Sequence, residues 1–135
     1  MSSATATGTE RRLRPEKTAI AEEIRRKVEG SSFLILMNPT GLDSGRTAEL
    51  RGRLRGVGAR LQVVPNRIFR AALGERAAVV VPALRGPTAM VVGSGDVVEV
   101  ARVLAQYQRE FKLENVIKLG AIGGQVLSPA DVLDI

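Results

Sequence analysis

The sequence contains no cysteine and no histidine. Thiol nucleophiles, disulfides and Cys/His metal sites are therefore excluded, together with the side chain that most often acts as a general base near neutral pH. Without histidine, a serine or carboxylate mechanism would depend on scattered residues, so we expect no enzyme activity, no catalytic or metal-ligating residues and no cofactor. The absence of cysteine fits a reducing compartment or a fold that does not depend on disulfides.

Aromatic residues are almost as scarce. The four that occur are Phe33, Phe69, Tyr107 and Phe111, and each fits an apolar face of a predicted element. Proteins that bind single-stranded nucleic acid stack bases on exposed aromatic side chains. The sequence therefore gives no support to a base-stacking platform.

Long apolar runs are missing as well. No stretch approaches the roughly 20 residues of a membrane span, and no charged segment leads into a signal-peptide core. Residues 1–14 are rich in Ser, Thr and Ala and end in a basic cluster, which predicts a disordered basic tail. A transit peptide is an alternative, although the segment is short and Glu10 interrupts it. We expect a soluble protein that is not secreted and has no membrane partner.

Positive charge is what the sequence has in excess. Lys and Arg number 20 against 14 Asp and Glu, which gives a net charge of +6, and 16 of the 20 cations are Arg. Residues 46–85 hold nine Arg and two acids, a net charge of +7, so the remainder of the chain sums to −1. Guanidinium groups bind phosphate oxygens bidentately. The segment predicts a nucleic-acid contact region, with a solvated basic surface as the alternative.

The hydrophobic pattern predicts one α/β (α+β) domain with a mixed four- to five-stranded sheet flanked by helices, over residues 15–127. The helices are expected at about 15–29, 44–56, 67–73 and 97–111, and the strands at 33–37, 60–64, 88–92, 116–122 and 125–127. Residues 77–84 are ambiguous because Pro82 limits them to an edge strand or a helical turn. Asp43 or Ser44 is expected to cap the second helix, and Asn66 the third.

Helical periodicity places several arginines away from the core. In the second helix Arg46 and Arg53 flank the apolar stripe on one side, and Arg51 and Arg55 flank it on the other. In the third helix the predicted core residues Ile68, Phe69, Ala72 and Leu73 share one face, and Arg67 and Arg70 occupy the opposite one. Arginines on helix and turn surfaces favour recognition of the shape and backbone of structured RNA over base readout.

One glycine-rich turn offers a competing function. Gly93-Ser94-Gly95 lies between a strand and a helix, as in loops that cradle phosphates, but Val98 stands where the dinucleotide fingerprint needs a third glycine. A small nucleotide-binding α/β protein using Gly93 to Asp96 is therefore the alternative of a different class. A helix cap at Ser94 or Asp96 explains the same residues.

Several short motifs occur in a characteristic order. They are Glu16-Lys17-x-x-Ile20, Gly41-Leu42, Glu49-Leu50-Arg51, Val63-Val64-x-Asn66 and Gly86-Pro87-Thr88-Ala89. In this order they resemble the N-terminal domain of the large-subunit ribosomal protein ten family, the stalk-base protein related to archaeal and eukaryotic P-zero. The similarity runs from about residue 14 to residue 135.

The resemblance implies a cytoplasmic, ribosome-associated structural protein. Its expected partners are large-subunit ribosomal RNA at the GTPase-associated region, with ribosomal protein eleven nearby, in support of translation-factor recruitment. In this family a long C-terminal helix holds dimers of the acidic stalk protein seven/twelve. We expect the long helix to be absent here. Residues 128–135 have the capping pattern of a helix start, but the sequence ends about two turns later, as in a truncated chain. A ribosome-assembly factor of the same fold, lacking the tail, is the alternative within the RNA-binding class.

The resemblance also implies RNA-binding residues. Those that stand where the family motifs stand are Lys17, Gly41, Arg51, Asn66, Arg70, Gly86, Pro87 and Thr88. Charge and helical position add Arg46, Arg55, Arg67 and Arg85. The sequence departs from the family beside Asn66, where Pro65 precedes and Arg67 follows, so a cation has moved across the asparagine. Thr40 replaces the arginine that frequently precedes Gly41.

Overall fold

Helices and strands alternate along the chain. The structure, a computed structural model, describes residues 15–40, 42–113, 116–123 and 125–134. The helices in these ranges are α1 (Pro15–Glu29), α2 (Ser44–Arg55), α3 (Asn66–Leu73), α4 (Val97–Glu110) and α5 (Pro129–Leu133). The strands are β1 (Phe33–Met37), β2 (Ala59–Val64), β3 (Thr88–Gly93), β4 (Ile117–Ile122) and β5 (Gln125–Leu127). The ambiguous segment around Pro82 forms two 3-10 helices, Gly74–Val79 and Val81–Ala83.

The five strands form one sheet in the order β2-β3-β1-β4-β5. The predicted α/β class is confirmed, but the expectation of a mixed sheet is corrected, because all the described strand pairings are antiparallel. Helix α2 connects β1 to β2 and helix α4 connects β3 to β4. Each connection skips one position in the sheet, and a strand of opposite direction fills that position. The parallel strands are therefore never neighbours, as in split β-α-β units.

Both faces of the sheet are covered. Strand β1 is buried along its whole length, as its continuous apolar run predicts. Phe33, Ile35 and Met37 pack in one cluster with residues of α2 and α4, whereas Leu34 and Leu36 pack in the other with residues of α1 and α3. Strand β2 is at one end of the strand order, so it forms a free edge of the sheet between the two helix layers.

The helix starts follow the sequence closely with one exception. Asp43 caps α2 by accepting a hydrogen bond from the Arg46 N–H, and Asp96 caps α4 by accepting one from the Val98 N–H. The prediction that Asn66 caps α3 is wrong: Asn66 is the first residue of that helix, and its amide donates elsewhere.

The buried stripe of α1 differs from the one that its sequence pattern predicts. Ile20, Ile24 and Val28 have the i, i+4, i+8 spacing of one helix face, which predicts that all three are buried, but Ile20 is 43% exposed. Ala21 takes the buried position, at i, i+3 and i+7 with Ile24 and Val28. In the described part of the chain, no helix has the length and apolar character that a bilayer crossing requires.

Candidate nucleic-acid interface

The most one-sided stretch of charge is centred on the free edge of the sheet. Residues 50–74 contain six arginines and no acid, and β2 lies in the middle of this stretch. The end of α2 precedes β2 and α3 follows it directly. Because β2 is an edge strand, the middle of this basic stretch lies at one side of the sheet.

Four cations meet at one end of this edge and form the site that we call the β2 cleft. The cleft has a volume of about 270 Å³, and its charged lining residues are Lys27, Arg51, Arg55 and Arg60. They come from three elements, α1, α2 and β2. The remaining described lining residues are Ala59, Leu61, Gln62, Met90 and Val92, none of which is acidic. A pocket of this composition favours an anion.

Two of these cations are held in place by hydrogen bonds to β2. The Arg51 Nε donates to the Leu61 carbonyl oxygen at 3.3 Å, and the Lys27 Nζ donates to the Gln62 Oε1 at 2.8 Å. The Lys27 Nζ also forms an ion pair with Glu23, whose carboxylate oxygen lies 3.2 Å away. The other N–H groups of the Arg51 guanidinium have no hydrogen-bond partner in the described part of the chain, so they can donate to a ligand. The position of Lys27 in the cleft was not predicted, because only the fold brings α1 to the β2 edge. Arg60 lies within the predicted basic segment 46–85 but was not singled out as a binding residue.

A second group of predicted residues lies where β2 and α3 meet the start of β3. We call this group, residues 84–88 with Asn66, the loop corner. The Asn66 Nδ2 donates to the carbonyl oxygens of Leu84 at 3.2 Å and Gly86 at 2.8 Å. Thr88 is buried, and its hydroxyl donates to the Gly86 carbonyl at 3.3 Å. Gly86 has φ of +66°, a conformation that glycine adopts without strain.

Sequence reasoning missed one residue that contacts the loop corner. The Lys118 Nζ, on β4, donates to the Arg85 carbonyl oxygen at 2.7 Å and to the Thr88 Oγ1 at 2.9 Å. Burial lowers the pKa of Lys118. Its only signal in the sequence was a cation inside an otherwise apolar strand.

The structure leaves other predicted residues outside both groups. Lys17 is exposed on the first turn of α1, and Gly41 lies outside the described residues. Arg67 and Arg70 are exposed on α3, opposite its buried residues, as predicted. Within the loop corner itself, Arg85 and Pro87 are exposed to solvent.

Arg46 contributes to packing between α2 and α4. Its guanidinium carbon lies 4.9 Å from the centroid of the Phe111 ring, and its carbonyl oxygen accepts a hydrogen bond from the Tyr107 hydroxyl at 3.1 Å. Arg53, nearby, bridges Glu49 at 2.6 Å and Glu110 at 2.8 Å. Arg46 was predicted as an RNA-binding residue from its charge and helical position alone. In the structure its contacts are with α4, and it does not line the β2 cleft.

The glycine-rich turn before α4 is filled by the chain itself. A Cβ on Gly93 would lie 2.2 Å from the Gly58 carbonyl oxygen, and a Cβ on Gly95 would lie 2.2 Å from that of Val57. The two backbones therefore touch where a phosphate would have to enter. The Asp96 carboxylate already occupies the anion position at the start of α4. The glycines serve close packing, and a nucleotide has no space at this turn.

The fold and the two basic groups define a small α/β domain whose arginines surround a free sheet edge. The family model for ribosomal protein L10 matches residues 12–109. The chain is also similar to the large ribosomal subunit protein uL10 of Thermomicrobium roseum, with 37% identity over 120 residues, or 87% of this chain and 66% of the relative. The uL10 protein of Thermobifida fusca is 35% identical over 125 residues, which cover 88% of this chain and 69% of the relative.

The chain belongs to the ribosomal protein L10 family. This confirms the resemblance that the motifs indicate. The uL10 protein of Staphylococcus carnosus is 31% identical over 118 residues and 70% of its own length. The chain therefore spans about two thirds of the length of the curated relatives that it matches. The family is one of ribosomal structural proteins of the large subunit.

Proposed function

We propose that this chain is a structural constituent of the large ribosomal subunit that binds ribosomal RNA through the β2 edge and the loop corner. The observation that carries the proposal is the β2 cleft, in which four cations from three elements converge and none of the described lining residues is acidic. The relatives are named as large ribosomal subunit proteins, which supports a ribosome-associated, cytoplasmic location.

The cation geometry favours contact with the RNA backbone. Phosphate contacts from Arg and Lys position a protein on RNA, whereas base readout of single strands relies on stacking side chains. Phe33, Phe69 and Tyr107 are buried, and Phe111 packs 4.7 Å from the Tyr107 ring. None of the four aromatic side chains is therefore available to stack on bases. The surface favours folded RNA, which it would contact through the phosphate backbone.

The proposal is tested with a folded RNA fragment from the stalk base and the 135-residue chain. The paired variant Arg55→Ala and Arg60→Ala removes two cations of the β2 cleft that no described carboxylate pairs. We expect RNA affinity to fall roughly tenfold or more at about 0.1 M salt, with the melting temperature unchanged. The matched control is Arg102→Ala, an exposed arginine of α4 that pairs with Glu99. Equal affinity of the paired variant and the control would contradict the assignment of the cleft.

Helix α3 supplies an independent test of the interface. Arg67 and Arg70 are exposed opposite the buried face of the helix. Arg67→Ala and Arg70→Ala should weaken RNA binding with little loss of stability, because neither guanidinium supports the core. A large fall in melting temperature with unchanged RNA affinity would show that these side chains support the fold instead.

The position of the domain within the ribosome is proposed from the family resemblance. We propose that the domain lies at the base of the stalk beside ribosomal protein eleven and supports translation-factor recruitment. The dimers of the acidic stalk protein seven/twelve would be held by a C-terminal helix rather than by this domain. Tagged chain should then be found in mature large subunits. Recovery in precursor particles alone would favour a ribosome-assembly role.

A further inference from the structure

We propose that the loop corner is a phosphate-binding site in which the backbone N–H groups of Arg85 and Gly86, together with the Arg85 guanidinium, bind one phosphodiester of folded RNA. The inference rests on the proposed function and deepens it, because it assigns a backbone site with its own positioning residues. Asn66 and Lys118 are those positioning residues.

The loop is held from behind by its carbonyl groups. Three consecutive carbonyl oxygens, those of Leu84, Arg85 and Gly86, accept hydrogen bonds from side chains of other elements or of β3. The donors are the Asn66 amide, the Lys118 ammonium and the Thr88 hydroxyl. The Oδ1 atom of Asn66 is buried and has no partner among the described residues, so the hydrogen bonds of this amide are directed at the loop alone.

This arrangement fixes the direction of the N–H groups. In a planar trans peptide, the carbonyl oxygen and the following N–H point in opposite directions. Because the Leu84 and Arg85 carbonyls face the Asn66 and Lys118 donors, the N–H groups of Arg85 and Gly86 face the other way. Within the described residues neither N–H has a hydrogen-bond partner. Pro87 adds no N–H, so two adjacent donors are presented.

The surroundings match a phosphate. Successive N–H groups in a turn form anion-binding concavities, and the positive φ of Gly86 belongs to such a turn. Arg85 is exposed in the same loop, Arg67 follows Asn66 on α3, and the Lys118 ammonium lies directly beneath the loop. A phosphodiester would therefore meet two amide donors and a guanidinium on a loop that is already ordered.

The first test follows the two amides by NMR in the wild-type chain. Inorganic phosphate, and then the folded stalk-base RNA fragment, are titrated while amide chemical shifts are recorded. The N–H resonances of Arg85 and Gly86 should move downfield in both titrations. The Val98 N–H, which already donates to Asp96, should not move and serves as the internal control. Unchanged Arg85 and Gly86 resonances at saturating RNA would overturn the proposal.

The second test separates positioning from direct contact. Arg85→Ala should weaken RNA binding roughly tenfold at about 0.1 M salt, and Lys118→Met should do the same because it releases the loop. The two losses should not add, so the double variant should bind about as weakly as either single variant. Losses that multiply to about a hundredfold would show that Lys118 contacts RNA independently and would refute its positioning role.

The β2 cleft distinguishes failure of this inference from failure of the proposed function. If Arg85→Ala and Lys118→Met bind RNA normally while the paired Arg55 and Arg60 variant does not, the loop site is refuted and RNA binding stands. If no variant affects affinity, both proposals are refuted. Circular dichroism of Lys118→Met confirms folding, and the NMR titration of the wild-type chain decides the case even if that variant unfolds.

Discussion

Replacing Gly95 by alanine should destabilise the fold strongly. A Cβ at this position would lie 2.2 Å from the Val57 carbonyl oxygen and 3.0 Å from the Gly58 Cα, and both atoms belong to the backbone. Because no flexible side chain can move aside, the turn before α4 and the turn before β2 would have to separate. Overpacking a dense site typically costs about 1–3 kcal/mol, and a backbone clash lies at the upper end of that range or beyond.

The size of the effect follows from the length of the chain. We expect Gly95→Ala to lower the free energy of unfolding by about 3 kcal/mol. With an unfolding entropy of about 2 cal/mol/K per residue, this corresponds to a fall in melting temperature of about 10 °C for a domain of this size. Gly52 is the matched control. It lies within α2 with no heavy atom near a Cβ, so Gly52→Ala should stabilise the protein by up to about 1 kcal/mol.

Thermal unfolding followed by circular dichroism measures both variants. The same substitution should shift the melting temperature in opposite directions at the two positions. If Gly95→Ala melts within about 1 °C of the wild type, a shift worth only a few tenths of a kcal/mol, the two turns do not touch. The space before α4 would then be open to a phosphate, and nucleotide titration would become the next experiment.

Three further predictions concern the packing of α4 and α5. The hydrogen bond from Arg53 lowers the pKa of Glu110 below the ordinary glutamate value of 4.5, so the pair contributes stability above that pH that is lost on acidification; Glu110→Gln should show a flatter fall in melting temperature below about pH 4.5. Tyr107→Phe removes a partly buried hydrogen bond to the Arg46 carbonyl and should cost about 1–2 kcal/mol in urea unfolding, whereas a neutral result would place the hydroxyl in contact with water. Val132→Ala removes the fully buried side chain of α5 and should lower the unfolding free energy by about 1–3 kcal/mol; no change would show that α5 does not pack on the sheet.

The sequence predicts most of the fold because periodicity reports burial directly. The unbroken apolar run of β1 indicates a strand covered on both faces. The helical periodicity of α3 places its core residues on one face and Arg67 and Arg70 on the other. The all-antiparallel pairing escapes such reasoning, because strand order depends on contacts between segments far apart in the chain. Periodicity defines which face of a strand is buried but not which strand lies beside it.

The candidate site is only partly visible in the sequence for the same reason. A dense run of arginines is a local signal, so Arg51 and Arg55 could be assigned from charge and motif. Lys27 reaches the β2 cleft from α1, and Lys118 reaches the loop corner from β4, and neither has a local signal of that role. Asn66 shows the limit of a local rule. Its position suggests a helix cap, yet its amide holds a loop about 20 residues away.

The salt dependence of RNA binding tests the central claim most directly. The equilibrium constant for the folded stalk-base RNA fragment is measured between about 50 and 200 mM salt for the wild type and for the paired Arg55 and Arg60 variant. Binding through phosphates predicts a steep linear fall of log K with log salt, with a slope of about −0.9 per phosphate neutralised on a duplex and a slope smaller by nearly two in the variant. A flat salt dependence, or no binding at low salt, would contradict the proposal that this basic edge binds RNA.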